Sequence, residues 1–136
     1  MKYDIRYYTE TGNTKTLADA ISEVIGVEAK TIGNPITEEV EVLFLGTAIY
    51  AFGLSKEVKE FLSSLDNKLV KKIVVFSQTA ISKKARNMVE KLAKDLGILV
   101  DEKNFYCKGS FKFLNKGRPN DDDIASCKEF ITEYIK

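Results

Sequence analysis

Apolar runs of strand length alternate along this chain with segments whose apolar residues recur at helical spacing. That alternation predicts an α/β protein with a parallel sheet covered by helices on both faces. The first run, Tyr3 to Tyr8, leads through the turn-rich Thr9 to Thr14 into a helix with Leu17, Ala18, Ile21, Val24 and Ile25 on one face, stopped by Gly26. Val27 to Ile32 reads as a second, short strand broken by Gly33-Asn34-Pro35, and Val40 to Thr47 as a third, apolar enough to be central. Ser55 is placed to cap a helix bearing Val58, Phe61, Leu62 and Leu65. Lys72 to Ser77 supplies a fourth strand, and Ser82 is placed to cap a helix with a stripe of Ala85, Met88, Val89, Leu92 and Leu96 before Gly97. Phe105 to Gly109 reads as the fifth strand, followed by an irregular basic and aromatic stretch ending in Gly117-Arg118-Pro119. Asn120 then caps the last helix, which turns Ile124, Cys127, Ile131 and Tyr134 inward. Asp121, Asp122 and Asp123 fall in its first turn, where the helix dipole favours negative charge, so they read as a helix start rather than a metal site.

With 136 residues and 44% hydrophobic composition, residues 1–136 suit one domain that needs neither a disulfide framework nor a structural metal to bury its core. Twenty-one basic against twenty acidic residues leave a net charge of +1, without the basic excess expected of a nucleic-acid binder. The absence of histidine removes every mechanism that needs an imidazole near neutral pH. The least polar stretch, Val42 to Leu54, falls short of the roughly 20 residues of a membrane helix, so no membrane partner is expected. Charges in Met1-Lys2-Tyr3-Asp4-Ile5-Arg6 replace the apolar run of a signal peptide, and the expected location is the cytoplasm. Cys107 and Cys127 lack CxxC spacing and are expected to be reduced, Cys127 as a core residue and Cys107 near the end of the fifth strand.

Open parallel sheets bind ligands at the carboxyl ends of their strands, which directs attention to the loops there. In Thr9-Glu10-Thr11-Gly12-Asn13-Thr14, three hydroxyls surround a turn glycine at a helix start whose amide hydrogens point to the same spot. Such a loop suits a phosphate without any basic side chain. It lacks the GK[ST] ending of a nucleotide loop and the GxGxxG of the usual dinucleotide fingerprint, so a single terminal phosphate is the better match. A phospho-acceptor receiver domain would need clustered acids after strand one and an aspartate ending strand three, where this chain has Tyr7-Tyr8-Thr9 and Gly46-Thr47.

Thr9 to Thr14 resembles the (Ser/Thr)-x-Thr-Gly-x-Thr loop of flavodoxins, which cradles the terminal phosphate of flavin mononucleotide, FMN. Leu45-Gly46-Thr47-Ala48-Ile49-Tyr50-Ala51-Phe52-Gly53 is similar to the family's segment after strand three, where two glycines and an aromatic frame one face of the flavin ring. Gly109 to Asn120 resembles the region before the last helix in small flavodoxin-domain proteins. The resemblance spans the chain. It implies a flavodoxin-like three-layer sandwich with a five-stranded parallel sheet in the order 2-1-3-4-5 and the flavin at the switch between strands one and three. It implies FMN contacts from Thr9, Glu10, Thr11, Gly12, Asn13 and Thr14, from Thr47, Ala48, Ile49, Tyr50, Phe52 and Gly53, and from Ser77, Gln78 and Thr79, with Tyr50 the principal aromatic against the ring. Ser77 to Ser82 departs from the family by lacking an aromatic and acidic neighbours.

The implied function is electron transfer through non-covalently bound FMN, with a redox partner protein or a small-molecule acceptor. One alternative is an FMN-dependent reductase of a quinone or similar acceptor, using NAD(P)H; another is a flavin-free interaction module of the same fold. Thr47 to Leu54 and Ser77 to Ser82 contain no Asp or Glu, and Lys56, Lys83 and Lys84 follow closely. Addition of the second electron to the flavin is therefore expected to be easier than beside carboxylates.

Overall fold

The structure is a computed structural model that describes residues 2–9, 12–48, 54–78, 84–107 and 119–136. Six parallel strands occupy five positions of one sheet. The elements run β1 (Tyr3–Tyr7), α1 (Asn13–Ile25), β2 (Ala29–Thr31), β3 (Val40–Ala48), α2 (Lys56–Ser63), β4 (Val70–Gln78), α3 (Lys84–Lys94), β5 (Leu99–Val100), β6 (Phe105–Cys107) and α4 (Asp121–Tyr134). The sheet order is β2-β1-β3-β4, with β5 and β6 both paired to the far side of β4. The expected α/β class and central strand order hold, but the edge differs from the expected single strand over Phe105 to Gly109. Leu99–Val100 pairs with Lys72 and Ile73, whereas Phe105–Cys107 pairs with Phe76, Ser77 and Gln78. The polar Asp101-Glu102-Lys103-Asn104 separates the two pieces.

Strand alternation sorts the core into two layers. Ile5, Tyr7, Phe44, Val74 and Phe76 face α1 and α4, where Leu17, Ile21, Cys127 and Ile131 meet them. Leu43, Leu45, Ile73 and Val75 face α2 and α3 and pack with Val58, Leu62, Val89 and Ala93. Helix starts follow the local chemistry expected of them. Ser55 Oγ accepts from the Val58 amide, and Asn120 and Asp123 exchange side-chain-to-backbone bonds in a capping box. Ser82, the expected cap of α3, lies outside the described residues. Among the described residues, no helix is long and apolar enough to cross a membrane.

A parallel crossover usually carries a helix, but the connection from β2 to β3 has none. Residues 32–39 instead pass across the α2 side of β1, where Ile36 joins the core. Arg6, pointing oppositely to its neighbours Ile5 and Tyr7, donates to the carbonyls of Asn34 at 2.8 Å and Pro35 at 3.2 Å and pairs with Asp4 at 2.7 Å. Arg86 does the same at the opposite edge of the sheet, donating from α3 to the carbonyls of Val100 and Asp101, each at 2.9 Å, where the edge strand breaks. Both guanidinium groups are buried, and each satisfies backbone oxygens that no ladder reaches.

The C-terminal helix is anchored at the same break. Tyr134 Oη donates to Asp101 Oδ2 at 2.7 Å, and Lys72 Nζ lies 3.2 Å from that oxygen. Burial opposes ionisation of Asp101, yet the Lys103 backbone amide, the Tyr134 hydroxyl and the Lys72 ammonium outweigh it and hold the carboxyl below its ordinary range. A carboxyl with a depressed folded-state pKa stabilises the fold above its unfolded value and loses that contribution as pH falls through the folded one. Tyr134→Phe should therefore cost about 1–2 kcal/mol at neutral pH, with the gap from wild type narrowing below about pH 4. Urea unfolding at both pH values checks this; an undiminished gap in acid would mean that Asp101 ionisation plays no part.

Candidate functional site

The strands β1, β3, β4 and β6 all deliver their carboxyl ends to one edge of the molecule. From β1 the chain leaves through α1 on one face of the sheet, and from β2 it returns to β3 across the other. The crevice at the end of β1 and β3 is thus the switch point at which α/β sheets hold ligands.

Gly12, the N-cap of α1, adopts φ +89°, a left-handed conformation that turns the chain into the helix. Thr9 Oγ1 accepts from the Gly12 amide at 2.9 Å and closes the turn. As the N-cap, Gly12 offers no side chain of its own to the first-turn amides, and the first turn contains no acid. The helix start therefore brings backbone amides and a positive dipole end to the switch point, a combination suited to an anion.

Thr14 is 1% exposed. It sits above Gly46 of β3, where a Cβ would overlap the Phe76 ring and approach Thr14 Cγ2 to 2.8 Å. The threonine methyl, a glycine without a side chain and a phenylalanine ring thus seat the first turn of α1 on the sheet. Sequence reasoning grouped Gly46 with the ring-framing loop and missed this packing role; a lone glycine inside an apolar strand was the available signal.

At the end of β3, buried Thr47 is in register with buried Ser77 of β4, and Ala48 with Gln78. Gln78 is in turn level with Cys107 at the end of β6. Thr9, Gly12, Asn13 and Thr14 therefore gather at the start of α1, and Thr47, Ala48, Ser77 and Gln78 follow along the same sheet edge. Glu10, Thr11, Ile49, Tyr50, Phe52, Gly53 and Thr79 lie outside the described residues, as does the segment 109–118. Cys127 is fully buried, and burial, followed by the neighbouring Cys107, pushes its thiol pKa up to about 12. It is a core residue, as its position on the helix stripe implies. A cleft of about 590 Å³ opens on the α2 side of the β1 end, lined by Tyr8, Thr9, Ile32, Glu57, Phe61 and Ser64 among others.

A family model described as a flavodoxin domain matches residues 4–112. An uncharacterized protein of Methanocaldococcus jannaschii is 29% identical over 139 residues, covering 91% of each chain. Among solved structures, a flavodoxin from the domain Archaea has a TM-score of 0.71 at 19% identity, covering 98% of this chain and 95% of its own. Oxidised flavodoxin 2 from Bacillus cereus also gives 0.71 at 19%, with 99% and 98% coverage. Rubredoxin oxygen:oxidoreductase from Desulfovibrio gigas gives 0.73 at 13%, matching 96% of this chain but 34% of its own. These structural likenesses carry the fold.

The seat of α1 can be tested without any ligand. Gly46→Ala should destabilise the protein by about 1–3 kcal/mol through overpacking, and Phe76→Leu in the same chain should recover part of that loss. Chemical denaturation reads both; a neutral Gly46→Ala would show that this contact does not set the helix position.

Proposed function

This chain belongs to the flavodoxin family, and on that premise we propose that it holds FMN non-covalently and passes electrons through it to a redox partner protein or a small-molecule acceptor. The observation that carries the proposal is the start of α1: Gly12 in a left-handed turn, Thr9 closing that turn, and a first turn that contains no acid. A phosphate is the group such a feature accommodates, because it supplies both acceptors and negative charge. Thr9, Glu10, Thr11, Gly12, Asn13 and Thr14 take the phosphate in this reading. Thr47, Ala48, Ile49, Tyr50, Phe52 and Gly53 flank the flavin ring, with Tyr50 against its face, while Ser77, Gln78 and Thr79 meet its polar edge. Bound there, FMN supplies the electron-carrying chemistry, and the protein positions it and sets its electrostatic surroundings.

The cleft beside Thr9 favours a second reading, in which a small acceptor such as a quinone is reduced directly. Its volume lies within the range of small-molecule sites. Steady NAD(P)H-dependent turnover of a quinone without a second protein would select this reading over the carrier.

A titration with two flavins tests the cofactor assignment. Riboflavin lacks the phosphate, and two lost charge-assisted hydrogen bonds correspond to roughly 100-fold in affinity. FMN should therefore bind at least about that much more tightly than riboflavin, as followed by quenching of flavin fluorescence. Joint replacement Thr11→Val and Thr14→Val should weaken FMN selectively. Equal affinity for the two flavins would remove the phosphate loop from the assignment, and no uptake of either would leave the fold without this cofactor.

A further inference from the structure

Because the crossover from β2 to β3 contains no helix, residues 32–39 alone pass over the α2 side of β1, and the cleft of about 590 Å³ stays open between them and α2. The crossover wall of this cleft is held in place by the protein itself. The Ile32 amide donates to the Tyr7 carbonyl at 3.0 Å, the Asn34 amide closes a turn on the Thr31 carbonyl at 3.0 Å, and buried Arg6 grips the carbonyls of Asn34 and Pro35. A preformed cleft of this size is the ordinary form of a small-molecule site. Tyr8 and Ile32, half-buried against the α2 layer of the core, give it an apolar floor, to which Pro35 of the crossover and Phe61 of α2 add.

The charge on the lining has one sign. Glu57 and Glu60, one helical turn apart on α2, both line the cleft, whereas among the described residues no lysine or arginine does, in a chain with 21 basic residues. Glu60 has Lys56 at 3.8 Å, but the two side chains are 67% and 85% exposed, so water competes with the contact. Cation before anion is also the less favourable order for a helical pair. Arg6 lies behind the crossover wall with its guanidinium committed to Asp4 and to the carbonyls of Ile5, Asn34 and Pro35. Carboxylates of one sign beside apolar walls concentrate a negative potential in the cleft.

We propose that this cleft binds a small organic cation, its apolar body on Tyr8, Ile32, Pro35 and Phe61 and its ammonium group against Glu57 and Glu60. Apolar burial also favours a neutral ligand of the same shape, so the carboxylates act by selection: cation over neutral molecule, and neutral molecule over anion. The site needs no flavin and does not rest on the FMN assignment. Thr9, which lines the cleft and closes the turn before α1, makes the two sites neighbours. A small acceptor that enters here is restricted by the same carboxylates to neutral and cationic species.

Three probes with one aromatic body test it: naphthylmethylammonium, naphthylmethanol and naphthoate, each titrated into the purified protein and followed by the amide shifts of Ile32, Gly33 and Phe61. At about 0.01 M salt the ammonium should bind about three- to tenfold more tightly than the alcohol, and naphthoate more weakly than either. At about 1 M salt the three affinities should converge. Joint replacement Glu57→Gln and Glu60→Gln, both at exposed positions, should bring the ammonium to the affinity of the alcohol and leave the alcohol unchanged. Lys56→Met, which removes the competing cation, should tighten the ammonium about twofold. No shift at these three amides with any probe, equal affinity for the three at low salt, or an ammonium preference that survives the double replacement would overturn the proposal. Ammonium binding in a protein that takes up no FMN supports the site and defeats the flavin assignment. FMN uptake without ammonium binding does the reverse.

Discussion

The close approach of α1 to the sheet at Gly46 is the constraint on which the candidate site depends. A backbone position without a side chain lets the Thr14 methyl and the Phe76 ring meet above β3, and that contact fixes the height of the first helical turn. The same turn contains Gly12 and follows Thr9, so packing against the sheet sets where polar amides emerge at its edge. Thr14 serves both purposes: its methyl belongs to the core and its hydroxyl to the loop motif. A substitution that preserves the hydroxyl but changes the shape of this residue would move the site rather than remove a contact from it.

Two buried arginines supply what regular secondary structure leaves undone. Arg6 serves a crossover that lacks a helix, and Arg86 serves an edge strand that lacks continuity. In each case the guanidinium fork satisfies at least two carbonyl oxygens and a carboxylate, so burying its charge is compensated by directional hydrogen bonds. The two irregular segments lie on opposite sides of the central strands, which leaves β1, β3 and β4 as the rigid platform between them.

Elements whose cause is local were legible in the chain. Ser55 and Asn120 cap helices through bonds three residues away, and the stripe containing Cys127 and Ile131 follows from helical period alone. The phosphate-loop motif was equally local, since Thr9, Gly12 and Thr14 are within six positions. What escaped the sequence has distant causes. Arg6 finds its carbonyl partners 28 and 29 residues away, and Gly46 is required by side chains from α1 and β4. Leu99–Val100 is a strand because β4 offers it a partner; two residues carry no periodicity by which it could be recognised.

The broken edge also governs what the sheet can become. An incoming strand would find one ladder of two residues and another of three, separated by a tetrapeptide with two acids and a lysine whose first carbonyl is already held by Arg86. Among the described residues there is no continuous row of edge amides to copy. Leu99 and Tyr106, the large apolar side chains left exposed here, stand on different pieces of that rim and do not combine into a template. The interruption thus acts as a terminator of sheet growth, protecting a parallel sheet from polymerisation through its own edge.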